Sequence, residues 1–419
     1  MKEDLKEQFH LGSLSLRALV LWLVMAGLSG LVCGVVGGLF HMAIDAVTGL
    51  RLGHPWLLYL LPLAGLVIVW CYRVCGMEND SGTNQIIASV RSGKRPPLRL
   101  APLIFLGSVL THLTGGSAGR EGAALQIGGS LAATLGKWCR LSERNMNIMV
   151  MCGMSGLFSS LFGTPLTAAV FSMEVVSIGI FHYSAFFPCL LSAYVATGIT
   201  RLMGISPEGY TLLGTPGLAP LPLLQVGALA ILCALLSILF CVAMHKTAHL
   251  YQKFFPNQYL RVVVGGVIVV LLSLLLGTRD YNGAGGHIIS AALAGTAVPW
   301  AFAAKLVLTA LTLGAGYRGG EIVPTFFVGA TFGCAVSPLL GLDPAFGAAI
   351  GMVALFCGVV NCPLASILLS VELFGSGGLL FFALACALSY LLSGKFSLYS
   401  SQKIVYSKLE PRFIDENAH

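Results

Sequence analysis

The segment GSAGREGAALQIGG, residues 116–129, sets an arginine and a glutamate, Arg120 and Glu121, in a glycine turn between two apolar runs. A charge inside a lipid-facing stretch is costly and marks function by default. The pattern occurs again in the second half of the chain as YRGGEIVPTFFVGA, residues 317–330, with Glu321 three residues before Pro324. The likeness continues downstream, where MCGMSGLFSSLFGTPLTAAVFSMEV from Met151 is matched by MVALFCGVVNCPLASILLSVEL from Met352. Ala123 and Pro324, like Met151 and Met352, stand 201 residues apart; Pro165 and Pro363, like Glu174 and Glu372, stand 198 apart. Four anchors in nearly one register describe one unit present twice.

Composition places both copies in a bilayer. Of the 419 residues, 56% are hydrophobic and only 10% charged, where a soluble domain carries roughly 25% charge. Ala18 to Phe40 and Leu223 to Met244 are long enough to span hydrocarbon, which takes about 20 apolar residues. Val262 to Leu276 and Ala301 to Leu313 are shorter, and the latter contains Lys305. Full spans mixed with half-length runs broken by Gly and Pro predict re-entrant helices, tolerated at membrane depth only where open backbone faces protein or a watery cavity. The expected class is an all-α polytopic membrane protein.

The first apolar run follows a mixed-charge segment with no evident cleavage site, so a retained first helix is expected over a signal peptide. Basic residues gather at Arg91–Arg99, Lys137–Arg144 and Lys395–Arg412, which the positive-inside rule assigns to the cytoplasm together with both termini. The expected division is a cytoplasmic segment over 1–17, transmembrane halves over 18–215 and 216–395, and a short cytoplasmic tail over 396–419. About two dozen tail residues fall below the roughly 40 that fold unaided, so no regulatory domain is expected there. The net charge of +7 has no aromatic interleaving of the kind nucleic acid requires. The 12 cysteines are scattered through apolar runs, and Cys71 with Cys75, one turn apart, lacks His or acidic partners. They read as packing residues, and no metal or cofactor is implied.

Repeated halves with interrupted helices in matching places predict a binding site where the halves meet. Glu121 sits where a glycine turn hands over to a helix, whose free N–H groups attract an anion. A carboxylate there occupies the anion's place and leaves it when protonated, which links proton and anion binding; the plainer reading is a pair with Arg120. Glu321, at the matching place, reads as a proton relay or as the partner of Arg318. Thr164-Pro165 and Asn361-Cys362-Pro363 resemble helix starts that could face the ion. Asp80 to Asn84 reads as another helix start, facing the ion or merely capping a surface helix. Glu174 and Glu372 fit a structural role as well as a functional one, Tyr399 fits an interfacial anchor or a pore phenol, and His112 a packed histidine or a proton carrier.

At these residues the chain resembles the CLC family of chloride channels and anion/proton antiporters. GSAGREG looks like that family's gating-glutamate motif and GxxGGxxxP, ending at Pro324, like its later anion-coordinating loop. The resemblance runs from about Ala18 to Gln402 and implies the CLC fold of two inverted-repeat halves. Chloride-type members carry GSGIP at the first helix start, where Ser81 and Gly82 alone agree here, and a proline where Ala123 stands. RLAPLIFLGSVLTHLTGGSAGREGAALQIGG, GGEIVP, NCPLAS and LYSSQ look instead like the fluoride/proton antiporter branch. By that resemblance Glu121 and Glu321 are the gating and proton-coupling acids. The anion is expected among Ser81, Gly82, Thr83, Asn84, Gly119, Arg120, Gly122, Gly320, Ile322, Val323 and Tyr399. That branch often has Thr where Ala123 and Val323 stand; losing those hydroxyls would relax selectivity toward chloride.

The expectation is therefore an exchanger of fluoride, or chloride, for protons, lying in a bacterial inner membrane. The alternatives are a chloride/proton antiporter and a passive voltage-gated chloride channel of the same fold. Acids retained at both centres favour coupling. A sodium-binding transporter would seek helix C-termini, whereas three Gly-to-helix N-termini favour anions. No nucleophile-base pair points to an enzyme. The implied partners are a halide anion, protons, membrane lipid and, through the resemblance, a second copy in a homodimer.

Overall fold

The computed structural model describes the backbone of residues 2–419 and the side chains from Leu16 onward; the cytoplasmic segment expected over 1–17 lies for the most part outside the described side chains. The first half comprises α1 (Lys2–Gly53), α2 (Leu61–Val74), α3 (Thr83–Ser92), α4 (Leu100–Leu113), α5 (Glu121–Trp138), α6 (Glu143–Phe162), α7 (Pro165–Glu174) and α8 (Phe186–Leu202). The second comprises α9 (Pro220–Phe254), α10 (Gln258–Leu275), α11 (Gly286–Leu293), α12 (Ala301–Ala315), α13 (Ile322–Val336), α14 (Pro344–Val360), α15 (Pro363–Phe374) and α16 (Leu379–Leu392).

Length and exposure sort these helices. Seven segments among the described residues are long and apolar enough to cross a membrane, including Leu16–Gly53, Pro220–Phe254 and Gln258–Leu275. Their outer faces expose Leu23, Leu31, Leu63, Leu235, Leu239 and Leu271, which suits lipid. By contrast α3 and α7 have 10 residues each and α15 has 12. At 1.5 Å per residue such helices cover about half of the ~30 Å hydrocarbon layer. Half-length helices are thus present as the sequence predicts, although the run Val262 to Leu276 belongs to the spanning α10, and their starts lie inside the protein: Thr83, Thr167 and Ala365 are all buried.

Glycine lets the helices of each half approach closely. A side chain on Gly128 of α5 would meet the Gly153 carbonyl of α6 at 2.1 Å, and one on Gly333 of α13 would meet the Gly347 carbonyl of α14 at 2.1 Å. The same small-residue packing therefore recurs in both halves, as expected where helices associate without a hydrophobic drive from water.

The halves are inverted. Residues 114–120 leave α4 beside Arg51 and Asn282, while 316–321 leave α12 beside Tyr72 and Arg261 on the opposite side. They meet in the middle as an antiparallel bridge in which Gly119 and Gly320 each donate an N–H to the other's carbonyl at 2.7 Å.

Beyond α16 the chain folds back. A small sheet joins β1 (Ser177–Ile178), β2 (Lys403–Tyr406) and β3 (Phe413–Asn417), with β1 and β2 parallel and β2 and β3 antiparallel. Lys408 donates to Asn361 Oδ1, to the Tyr390 carbonyl and to Ser393 Oγ, anchoring the tail to the ends of α14 and α16. The residues set apart as a tail thus brace the loop that carries Tyr399.

Candidate functional site

The middle of the protein is closed between two cavities. The outer one, about 340 Å³, is walled by Asp45, Arg51, Arg120, Glu208, Arg279 and Val323, among others. The inner one, about 350 Å³, is walled by Ser81, Gly82, Thr83, Asn84, Glu321 and Tyr399, among others. By the positive-inside rule it faces inward, since the basic run Arg91–Arg99 begins in the last turn of α3, whose start lines it. Glu121 is fully buried between them.

Glu121 opens α5, and its carboxylate folds back so that Oε2 accepts the Arg120 N–H at 3.0 Å. Oε1 lies 3.6 Å from Arg120 Nε and has no hydrogen bond. Arg120 does touch Glu121, as the plainer reading has it, but it does not saturate it. The guanidinium is drawn outward to Glu208 at 2.9 Å and Asp45 at 3.4 Å.

Glu321 immediately precedes α13. Its alternative partner is engaged elsewhere: Arg318 pairs with Asp80 at 2.9 Å and stacks 3.9 Å above the Tyr72 ring. The pair with Arg318 is therefore not formed, and Glu321 Oε2 is buried with no partner. Asp80 also accepts the Gly82 N–H at 3.2 Å. It is thus a link between the halves and not a cap on α3, whose N-cap Gly82 has no side-chain bond.

The glycines permit this closeness. A side chain on Gly119 would meet Glu121 Oε2 at 2.8 Å, one on Gly122 would meet Glu321 Oε2 at 2.7 Å, and one on Gly320 would meet the Gly122 nitrogen at 2.5 Å. Gly119 and Gly320 spend their own N–H groups on each other, so what they contribute is near approach and not donors. The first N–H groups of α5 and α13, at Gly122, Ile322 and Val323, have no acceptor within their helices and confer partial positive charge on the centre.

From the inner side, Asn84 Oδ1 accepts the Ser401 N–H at 2.9 Å, tying α3 to the Tyr399 loop. Tyr399 is 1% exposed, too buried for an interfacial anchor, and its Oη has no partner. The sequence reading missed Gln126, one turn beyond Gly122 on α5, whose Oε1 is likewise buried and unpartnered. A lone amide in the apolar run GAALQIGG was the available signal. Helix α5, the start of α13 and the Tyr399 loop thus bring four buried oxygens without hydrogen-bond partners to one region. Native proteins seldom leave such groups unmet, so each calls for an explanation.

One expectation is corrected. The starts of α7 and α15 do not face an ion, because each is filled by a carboxylate of the other half. Glu372 accepts the Leu166 and Thr167 N–H groups at 3.0 and 2.8 Å, and Glu174 accepts those of Leu364 and Ala365 at 3.1 and 2.9 Å. Neither Thr164 nor Cys362 makes a side-chain cap. Of the two readings of His112 the packed one fits: the residue is buried, bonds the Ser108 carbonyl at 2.8 Å and lines neither the outer nor the inner cavity.

Comparison with known proteins places this centre in a family. The sequence profile described as Voltage gated chloride channel matches residues 64–394. The chain belongs to that family, the CLC family. Among CLC relatives, a "Chloride/fluoride channel protein" of Pseudomonas syringae pv. tomato is 37% identical over 394 residues, covering 92% of this chain and 87% of the relative. An H+/Cl− exchange transporter of Vibrio vulnificus is 26% identical, covering 84% of this chain and 81% of the relative. The crystal structure of a CLC-type fluoride/proton antiporter superposes with a TM-score of 0.89 at 31% identity, over 92% of this chain and 98% of that one. A slow cyanobacterial Cl−/H+ antiporter shares the fold with a TM-score of 0.76 at 23% identity. The protein is an integral membrane member of the CLC anion-transport family.

Proposed function

We propose that this CLC protein exchanges fluoride for protons. The observation that carries the reading is a pair of carboxylates, Glu121 fully buried between the cavities and Glu321 on the wall of the inner one, each with a buried oxygen that has no hydrogen-bond partner. A passive pore needs no group that takes up a proton, whereas an exchanger needs one that alternates between proton and anion. While ionised, Glu121 holds the place beside the positive ends of α5 and α13. Once it takes a proton its charge is gone, the attraction of those helix ends passes to a halide, and the carboxyl is free to swing away. Loss of the proton on the other side reverses the order. Glu321 and Tyr399 supply the inner side of the same centre with a second proton site and a hydroxyl donor.

The fluoride assignment is supported by the names of the relatives at 37% and 31% identity. A chloride/proton exchanger is the second reading, favoured by Val323 at the first turn of α13, where an apolar side chain brings no hydroxyl to the ion. The bacterial relatives support a place in a bacterial inner membrane, and family likeness supports a homodimer with one path in each subunit.

The test is proton uptake by proteoliposomes under imposed fluoride and chloride gradients, for the wild type and Glu121→Ala. Fluoride-driven proton movement that the substitution abolishes is the expected result. Stronger driving by chloride would move the assignment to the second reading. Anion flux without protons in the wild type would leave a channel.

A further inference from the structure

We propose that Gln126 is the positioning residue of the inner proton route, holding by its Oε1 a water molecule that delivers protons to Glu321. The inference rests on the exchange reading above and adds to it a residue and a direction of approach.

The amide has one available orientation. Its Nε2 donates to the Gly122 carbonyl at 3.2 Å and to Thr83 Oγ1 at 3.3 Å. Turning the amide over would set Oε1 at that distance from the Gly122 carbonyl, facing two acceptors toward each other with no hydrogen between them. Both Nε2 hydrogens are therefore committed, and Oε1 is left over. It is buried in a side chain 3% exposed and has no partner.

An amide oxygen has lone pairs and no hydrogen, so it repels a bare halide and takes a proton donor. The polar neighbours on this wall of the inner cavity define what that donor reaches. Gln126, Thr83, Glu321 and Tyr399 share the wall. Around Gly122, Glu321 Oε2 and Thr83 Oγ1 both crowd the place a side chain would fill, at 2.7 and 3.3 Å. A buried water is stable where it meets two to four polar partners. Gln126 Oε1 and Glu321 Oε2 are two acceptors without donors, and Tyr399 Oη is a third unpartnered group on the same wall. A water between the first two satisfies both with its own hydrogens.

The step balances without another reactant. The water accepts a proton arriving through the inner cavity and passes one of its own to Glu321. The carboxylate becomes a neutral carboxyl and the water is restored. Gln126 takes no proton; it fixes where the water stands.

The experiment compares protons moved per fluoride in proteoliposomes for the wild type, Gln126→Met and Gln126→Glu. Methionine keeps the volume and removes the acceptor oxygen, whereas glutamate, its protonated oxygen donating to the Gly122 carbonyl, restores an acceptor oxygen at the same reach. The expected result is a fall of about tenfold in the proton-to-fluoride ratio for Gln126→Met, in line with loss of a positioned proton carrier, with recovery to within about twofold of wild type for Gln126→Glu. A purely structural role would lower both fluxes together and leave the ratio where it was, which overturns the proposal. Failure of Gln126→Glu to exceed Gln126→Met also overturns it. A wild type that moves fluoride with no protons overturns the exchange reading itself, an outcome distinct from both.

Discussion

Glu174 and Glu372 cap each other's helices. Glu174 ends α7 and accepts two N–H groups from the start of α15, while Glu372 lies in the last turn of α15 and accepts two from the start of α7. Each acid closes one repeat and completes the other, so the two halves are bonded at depth by a reciprocal exchange. Carboxylates suit this place because the positive end of a helix favours negative charge.

Removing one of these caps weakens the fold and spares the chemistry. Glu372→Ala leaves two buried N–H groups of α7 unmet and is expected to cost about 1–2 kcal/mol. Thermal unfolding in detergent should show the fall for Glu372→Ala and for Glu174→Ala alike. The proton-to-fluoride ratio of the folded fraction should stay within about twofold of wild type; a collapse of that ratio would mean that the pair belongs to the proton path.

The Asp80–Arg318 pair yields a sharper test of connection. The Asp80 side chain is fully enclosed and Arg318 is its partner. Arg318→Met strands a buried charge and is expected to destabilise by ~3–5 kcal/mol. Adding Asp80→Asn removes the stranded charge and should recover a large part of that loss. Double-mutant thermal denaturation measures the coupling. Equal effects in the single and double variants would show that the pair carries no such weight.

What was legible in the sequence follows from what repeats and what is local. The register of Ala123 with Pro324 and of Met151 with Met352 announces two related halves, and the Gly-to-helix transitions before Glu121 and Glu321 announce where they meet. Pairings between distant residues leave no such trace. Asp80 and Arg318 lie 238 positions apart, and nothing in either neighbourhood names the other; the sequence offers Glu321 as an alternative partner of Arg318 only because Glu321 is its near neighbour. Thr164-Pro165 has the look of a self-capped helix start, and the competing Glu372 is 206 positions away from Leu166. Gln126 was passed over because an amide carries no charge to betray it among apolar residues. The closing of the tail onto β1 also depends on tertiary contacts, since the β2 and β3 segments are too short to hold a sheet alone.

Val323 sets a prediction about choice of halide. It sits in the first turn of α13, where N–H groups lack intrahelical acceptors, and lines the outer cavity. Val323→Thr adds a hydroxyl donor to that turn at nearly the same volume. Fluoride, small and strongly hydrated, gains more from an added donor than chloride does, so the fluoride-to-chloride flux ratio should rise about three- to tenfold, some 0.7–1.4 kcal/mol of one hydrogen bond. Halide flux from proteoliposomes under matched gradients measures it, and an unchanged ratio would place Val323 away from the ion.

Glu321 and Glu121 should separate by function when each is neutralised. Glu121 lies between the cavities, where it both excludes the anion and carries the proton, so Glu121→Gln mimics a permanently protonated state. Anion passage should continue or rise while proton movement stops. Glu321 lies on the inner cavity wall and has no ion pair. Glu321→Gln keeps its shape and hydrogen-bonding reach but cannot release a proton, so protons arriving from the inner side lose their acceptor. Proton uptake should fall about tenfold or more, with fluoride movement falling in step if the two are strictly coupled. Combining the substitutions discriminates the roles. If Glu321 serves only to load Glu121, the double variant conducts anions like Glu121→Gln, because the loading step no longer matters. If Glu321 instead holds the anion directly, the double variant conducts much less than Glu121→Gln alone.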